Sequence, residues 1–174
     1  MADLWLFESE NIKYREMTLD DTEKVLSWRN SDEVRSHFFY QKIITKTEHE
    51  NYYNSKIVPG KTKQFVMMDK CSGKEFGCVM LSNIDLDKNT AESGIFIGNA
   101  DFYGKGYGTE AIKSVVEYGF TKYRFSRIDI RVRRSNICSY KAHRKAGFIE
   151  NQEIMTLYEF DGNQNEVVFM SVYP

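Results

Sequence analysis

Apolar and polar residues alternate from Ile12 to Met17, the period-two pattern of a strand with one buried face. At Thr18-Leu19-Asp20-Asp21 the period changes. Thr18 is placed to cap a helix, with Asp21 three residues on, and Val25, Leu26, Trp28 and Arg29 follow on it. Asn30-Ser31-Asp32 interrupts this helix, and Glu33 to Phe39 is predicted to continue helically. Thr45 or Thr47 caps a further helix through Lys56. From Gln64 the texture turns to β. Gln64 to Asp69 and Glu75 to Ile84 read as strands joined across Cys71-Ser72-Gly73-Lys74, and Thr90 to Gly98 reads as another. A glycine-rich loop, Asn99 to Gly108, leads into a helix over Thr109 to Tyr123, where Ala111, Ile112, Val115, Val116, Gly119 and Phe120 fall on one face. Arg127 to Arg133 is a β-branched strand. A short helix capped by Ser135 or Asn136 ends before Gly147, and strands Gln152 to Phe160 and Glu166 to Val172 lie either side of Asp161-Gly162. The sum predicts one α+β domain over residues 1–174, with a mixed, mostly antiparallel twisted sheet of about six to seven strands flanked by helices.

A chain of 174 residues suits a single core. Lys+Arg is 24 against 25 Asp+Glu, so the chain lacks the basic surplus that binding to nucleic-acid phosphates needs. A local basic patch remains, at Arg131, Arg133, Arg134, Lys141, Arg144 and Lys145. Cys71, Cys78 and Cys138 form no C-x-x-C pair, which fits unpaired thiols in a reducing compartment. The first residues are too acidic for a signal peptide, and no apolar run approaches the roughly 20 residues of a membrane span. A cytoplasmic protein without membrane contact is expected.

The chemistry concentrates in Tyr103-Gly104-Lys105-Gly106-Tyr107-Gly108-Thr109-Glu110-Ala111, between a strand and an amphipathic helix. Helix N-termini carry free N–H groups and partial positive charge, and glycines let the backbone approach phosphate closely. The loop is thus a candidate phosphate cradle; a plain strand-to-helix turn is the alternative. The Walker pattern is absent. Gly106-Tyr107-Gly108-Thr109-Glu110-Ala111 does fit the dinucleotide pattern G-x-G-x-x-A, with Asp129 at about the right distance. An NAD(P)-binding enzyme would place that acid at a strand's end, whereas Asp129 lies between Ile128 and Ile130, with too little chain beyond it for the remaining elements.

Tyr103-Gly104-Lys105-Gly106-Tyr107-Gly108 resembles the [Q/R]-x-x-G-x-[G/A] loop of the GNAT superfamily of acyl-CoA N-acyltransferases, with Tyr103 in place of the usual Gln or Arg. Asn136-Ile137-Cys138-Ser139 followed by Lys145-Ala146-Gly147-Phe148 resembles a second segment of that family, in the right order and after a strand. The wording is similar to the branch acting on ribosomal-protein N-termini, spermidine and amino sugars. The resemblance implies that acetyl-CoA enters between the strand ending at Ile97-Gly98 and the strand from Arg127. Tyr103 to Gly108 would hold its pyrophosphate, Asn136 would border it, and a backbone N–H near Ile97 would polarise the thioester carbonyl. No metal is implied.

For the general base the resemblance points to Glu92, with a surface glutamate as the alternative, and His37 and His49 as further candidates. For the acid the family has a tyrosine where this chain has His143; Tyr140, on the same helix face as Asn136 and His143, is a substitute. Loss of that tyrosine also leaves room for a non-catalytic acyl-CoA-binding domain. Trp28-Arg29-Asn30 resembles a segment of enzymes acting on nucleotide-linked amino sugars. Trp28 offers a stacking face and Arg29 a phosphate fork, or else Trp28 is core and Arg29 an anchor. The expected acceptor is an amino sugar, with a protein N-terminus or a polyamine as alternatives. Two chains could pair into a homodimer along an edge near the terminal strands.

Overall fold

The computed structural model describes residues 5–151, 156–160 and 163–174. Among them nine strands form one sheet: β1 (Phe7–Glu8), β2 (Ile12–Glu16), β3 (Lys63–Asp69), β4 (Glu75–Asp85), β5 (Thr90–Ile97), β6 (Arg127–Arg133), β7 (Ile149–Glu150), β8 (Thr156–Phe160) and β9 (Asn163–Val172). Their order is β1-β2-β3-β4-β5-β6-β9-β7, and β8 also pairs with β9. The helices are α1 (Thr22–Arg29), α2 (Asp32–Arg35), α3 (Lys46–Tyr52), α4 (Tyr107–Tyr118) and α5 (Ile137–Lys145). This is the expected α+β architecture. The end strands β1 and β7 have two residues each, too short to carry a readable period. β9 is not an open edge, since β6 lies on one side of it and β7 and β8 on the other. Of the strand expected over Gln152 to Phe160, residues 152–155 lie outside the described residues, as does Asp161-Gly162.

The middle of the sheet is covered on both faces, so Phe65–Met68 of β3 and Phe76–Leu81 of β4 run without a polar side chain. Phe65, Met67, Val79, Leu81, Ile95 and Ile97 pack towards the larger cluster with Ala111, Ile112 and Val115 of α4. Their neighbours in sequence, Val66, Cys78, Met80 and Phe96, turn the other way, to Val25 and Trp28 of α1 and Val34 of α2. α4 earns its place through a full apolar face, Ala111, Ile112, Val115 and Val116, all buried.

α1 is fixed differently. Arg15 and Asp21 are nearly buried and joined by two bonds of 2.7 and 2.6 Å, and Glu75 and Lys24 complete the group. Trp28 stands where a side chain on residue 98 would be: a Cβ on Gly98 would lie 2.1 Å from its ring. Glycine at the end of β5 therefore lets α1 close on the sheet.

The helix expected over Glu33 to Phe39 stops at Arg35. Past it the backbone tightens to i→i−3 bonds, His37 N–H to Val34 O and Phe38 N–H to Arg35 O, and the chain beyond is held by side chains: Arg133 donates to Ser36 O, and Arg29 and Arg35 donate to the carbonyls of Tyr40 and Gln41. α3 is capped by Thr45 and runs on as a wider turn, Tyr53–Ile57. No helix among the described residues is long and apolar enough to cross a membrane.

Candidate active site

β5 and β6 are parallel neighbours, but they pair only over Thr90–Glu92 with Arg127–Asp129. Beyond that point β5 stays with β4 as far as Ile97, while β6 stays with β9 as far as Arg133. The sheet splits into a wedge, which opens into a cleft of about 840 Å3. That is an ordinary size for a small-molecule site.

The wedge exposes backbone as well as side chains. Gly98 N–H bonds Phe76 O, so the even-numbered residues of β5 spend their backbone groups on β4. By the alternation of antiparallel pairs, the groups of Ser93, Ile95 and Ile97 point into the gap. The Tyr103 hydroxyl, which donates to Ile97 O at 3.1 Å, agrees. At the mouth, α4 starts at Gly106, whose φ of +89° is left-handed. The first intrahelical bond is Glu110 N–H to Gly106 O, which leaves the N–H groups of Tyr107, Gly108 and Thr109 outside the helix ladder. Free N–H groups of this kind can seat an anion, and Gly104, Gly106 and Gly108 line the cleft beside them. Lys141 and Lys145 of α5 line the same cleft.

The seat is held firmly from outside the cleft. The Tyr107 hydroxyl donates to buried Asp69 at 2.7 Å. Glu110 accepts from the Ser9 hydroxyl and from the Asn11 backbone and side chain, which turns its charge away from the seat. Tyr107 and Lys105 are thus part of the loop without lining the cleft, and Gly98 serves α1.

Glu92 lies in the fork of the wedge, on the sheet face that Phe96 shares. Arg131 donates to its Oε2 at 2.9 and 3.2 Å. Ile128, Ile130 and Val132 of β6 face the core on the α4 side, and Asp129, Arg131 and Arg133 alternate with them. Glu33, His37 and Arg133 also line this half of the cleft. In the sequence Arg131 and Arg133 form only a basic patch; their period-two spacing puts them on one face of β6, and the pairing of Glu92 with Asp129 makes it the face of Glu92.

His143 borders the cleft and Asn136 caps α5 there, its Oδ1 accepting Ser139 N–H. The His143 ring is fully buried. Its Nδ1–H donates to Ser139 O at 2.8 Å, and buried Nε2 has no partner among the described residues. Burial pushes its pKa down to about 4, against the bond to Ser139, which raises it. The ring is therefore neutral at pH 7, with no proton to donate from Nε2, unlike the acid expected at this position. Tyr140 lies outside the cleft, its hydroxyl donating to Glu150 at 3.0 Å. Trp28 and Arg29 do not line the cleft either. His49 is buried in α3, away from it.

A depressed histidine pKa has a measurable consequence. Folded His143 stays neutral down to about pH 4, whereas the unfolded chain takes up its proton near 6.5. Between those values the unfolded state binds more protons, so stability falls as pH is lowered. His143→Gln keeps a polar side chain without titrating. In urea unfolding measured from pH 7 to 4.5 it should lose much of the wild-type acid slope, by up to about 3 kcal/mol across the window. A slope identical to wild type would contradict the neutral buried ring.

A split sheet with exposed strand backbone, and a glycine-lined helix start with free N–H groups at its mouth, has the form of a transferase of the acyl-CoA-dependent class. Residues 11–149 match the family model described as acetyltransferase (GNAT) domain, so the chain belongs to that family. It is similar to spermidine N(1)-acetyltransferase of Escherichia coli K12, 26% identical over 165 residues, covering 95% of this chain and 87% of the relative. It is also similar to the putative ribosomal N-acetyltransferase YdaF of Bacillus subtilis, 23% identical over 172 residues, covering 94% and 92% of the two chains. Its fold matches spermidine N-acetyltransferase from Vibrio cholerae, solved in complex with CoA and spermine. The TM-score is 0.84, with 22% identity and coverage of 95% and 96%. The doubly wound dinucleotide fold is set aside: among the described residues, β5 with β6 is the one parallel pair.

Proposed function

We propose that the protein acetylates a primary amine of an aliphatic polyamine with acetyl-CoA, by direct attack in a ternary complex. The observation that carries this reading is Glu92, a carboxylate in the fork of the wedge on the acceptor face, with Glu33 on the same cleft. The relatedness to spermidine N(1)-acetyltransferase along nearly the whole chain supports it over the amino sugar expected from Trp28-Arg29-Asn30, since Trp28 and Arg29 stand outside the cleft.

In this reading the α4 start and its glycines take the pyrophosphate of acetyl-CoA, and the gap-facing backbone of β5 takes the chain that leads to the thioester. An alkyl ammonium has a pKa of about 10 and must lose a proton before it can attack. Glu92, its Oε2 bonded to Arg131, passes that proton to solvent through water. The amine nitrogen then bonds the thioester carbon, and the oxyanion forms against the Ile97 N–H. Collapse breaks the C–S bond and expels the thiolate. The proton still on nitrogen leaves as the amide forms, and an equal one neutralises the thiolate from solvent.

Steady-state assays with spermidine, spermine, an amino-sugar nucleotide and a peptide amine separate the acceptors. Spermidine turnover is expected in wild type. Glu92→Gln should lower kcat about a hundredfold with acetyl-CoA affinity unchanged, the usual size of a general-base contribution. Full activity in Glu92→Gln removes the base from the mechanism. One observation favours a second reading: Arg131 and Arg133 stand on the acceptor face, and guanidinium groups match phosphate. Turnover of the amino-sugar nucleotide without spermidine turnover would select it.

A further inference from the structure

We propose that Arg29 and Asn30 are positioning residues for the acceptor amine, because they hold the chain between α2 and α3 as the wall of the acceptor half of the cleft. This stretch, residues 36–44, has no helix or strand, yet Ser36, His37, Phe38 and Phe39 line the cleft. Its shape comes from side chains that bond its backbone. Arg29 donates to Tyr40 O at 2.7 Å, and its guanidinium lies 3.6 Å from the centre of the Phe38 ring. Asn30 bonds one residue twice, its Nδ2 donating to Ile44 O and its Oδ1 accepting Ile44 N–H, both at 2.9 Å. Arg35 and Arg133 fix Gln41 O and Ser36 O.

Arg29 is 7% exposed and makes no contact with the cleft, so its charge serves the fold of this wall. Burial, with Arg35 nearby, pushes its pKa down to about 10, which still leaves it charged at pH 7. Phe38 lies between the Arg29 guanidinium and Phe96 of β5, whose ring meets it edge-on at 5.9 Å. The wall is thus keyed to the β5 face that carries Glu92. The anion seat lies at the start of α4, which packs on the opposite face. Loosening the wall should disturb the amine and leave acetyl-CoA in place.

The inference rests on the amine-acetylation reading, and two measurements keep the two apart. In Asn30→Ala the KM for spermidine should rise about tenfold while the KM for acetyl-CoA stays within about twofold, as expected for a misplaced acceptor. Asn30→Asp keeps the acceptor for Ile44 N–H but sets a carboxylate oxygen against Ile44 O, so it too should raise the KM for spermidine and leave that for acetyl-CoA. Hydrogen exchange needs no acceptor. The Ile44 amide and its neighbours should lose protection in Asn30→Ala, with α4 unchanged. Equal rises in both KM values, no rise in either, or unchanged exchange at Ile44 would each overturn the proposal. Failure of wild type to acetylate any amine would sink the functional reading while exchange still tests the wall.

Discussion

Gly106→Glu should lose acetyl-CoA affinity by about a hundredfold or more, close to 3 kcal/mol, while the chain stays folded. Residue 106 precedes the three N–H groups of the anion seat, and nothing lies within 4 Å of a Cβ placed there. A side chain therefore fits, and the fold pays only for a left-handed non-glycine residue, about 1–2 kcal/mol. The glutamate carboxylate then reaches the N–H groups that the pyrophosphate would use and repels it as well. Gly106→Ala carries the same backbone strain without the charge, so its smaller loss measures strain alone. Calorimetric titration with acetyl-CoA, with NADH as control and circular dichroism to confirm folding, decides the matter. Unchanged affinity in a folded Gly106→Glu protein would return the loop to a simple turn.

The seat was legible because its ingredients are local. Glycines, a strand before them and an apolar helix face after them all fall within Thr90 to Tyr118, and each follows from spacing alone. The wedge was legible in outline from the resemblance, as a gap between the strand ending at Ile97-Gly98 and the strand from Arg127. The acceptor half was not, because its determinants are distant in sequence. Trp28 and Arg29 present a ring and a cation, as a ligand platform would. What assigns them to the scaffold is Gly98, which leaves room for the ring, and Tyr40, whose carbonyl takes the guanidinium. Helical spacing does bring Tyr140 and His143 near one face. It could not show that Glu150 takes the hydroxyl of one, or that the other bonds the carbonyl of Ser139 in its own helix.

Asp21→Ala should destabilise the protein by about 3 kcal/mol, the lower end of the cost of breaking a buried ion pair. The Arg15 and Asp21 side chains are 10% and 6% exposed, so removal of the carboxylate leaves a guanidinium largely shut from water. Glu75 remains beside Arg15 at 2.7 Å, which keeps the loss from the upper end. The carboxylate also accepts Thr18 N–H at 2.9 Å, a bond that starts the turn into α1. For a chain of this size the loss corresponds to a fall of about 6–12 °C in Tm. Burial by itself would raise the Asp21 pKa, but bonds from Arg15, Thr18 and Lys24 outweigh it and hold the carboxyl well below the usual carboxylate range. The unfolded carboxyl titrates near 3.9, so the contribution is complete above that pH and is lost as pH falls through the lower folded value. Wild type and Asp21→Ala should therefore differ most at neutral pH and converge in strong acid. Adding Arg15→Met removes the stranded charge and should recover part of the loss, since Lys24 and Glu75 still pair with each other. Loss of stability without that recovery would mean that the turn into α1, rather than the ion pair, is what Asp21 supports.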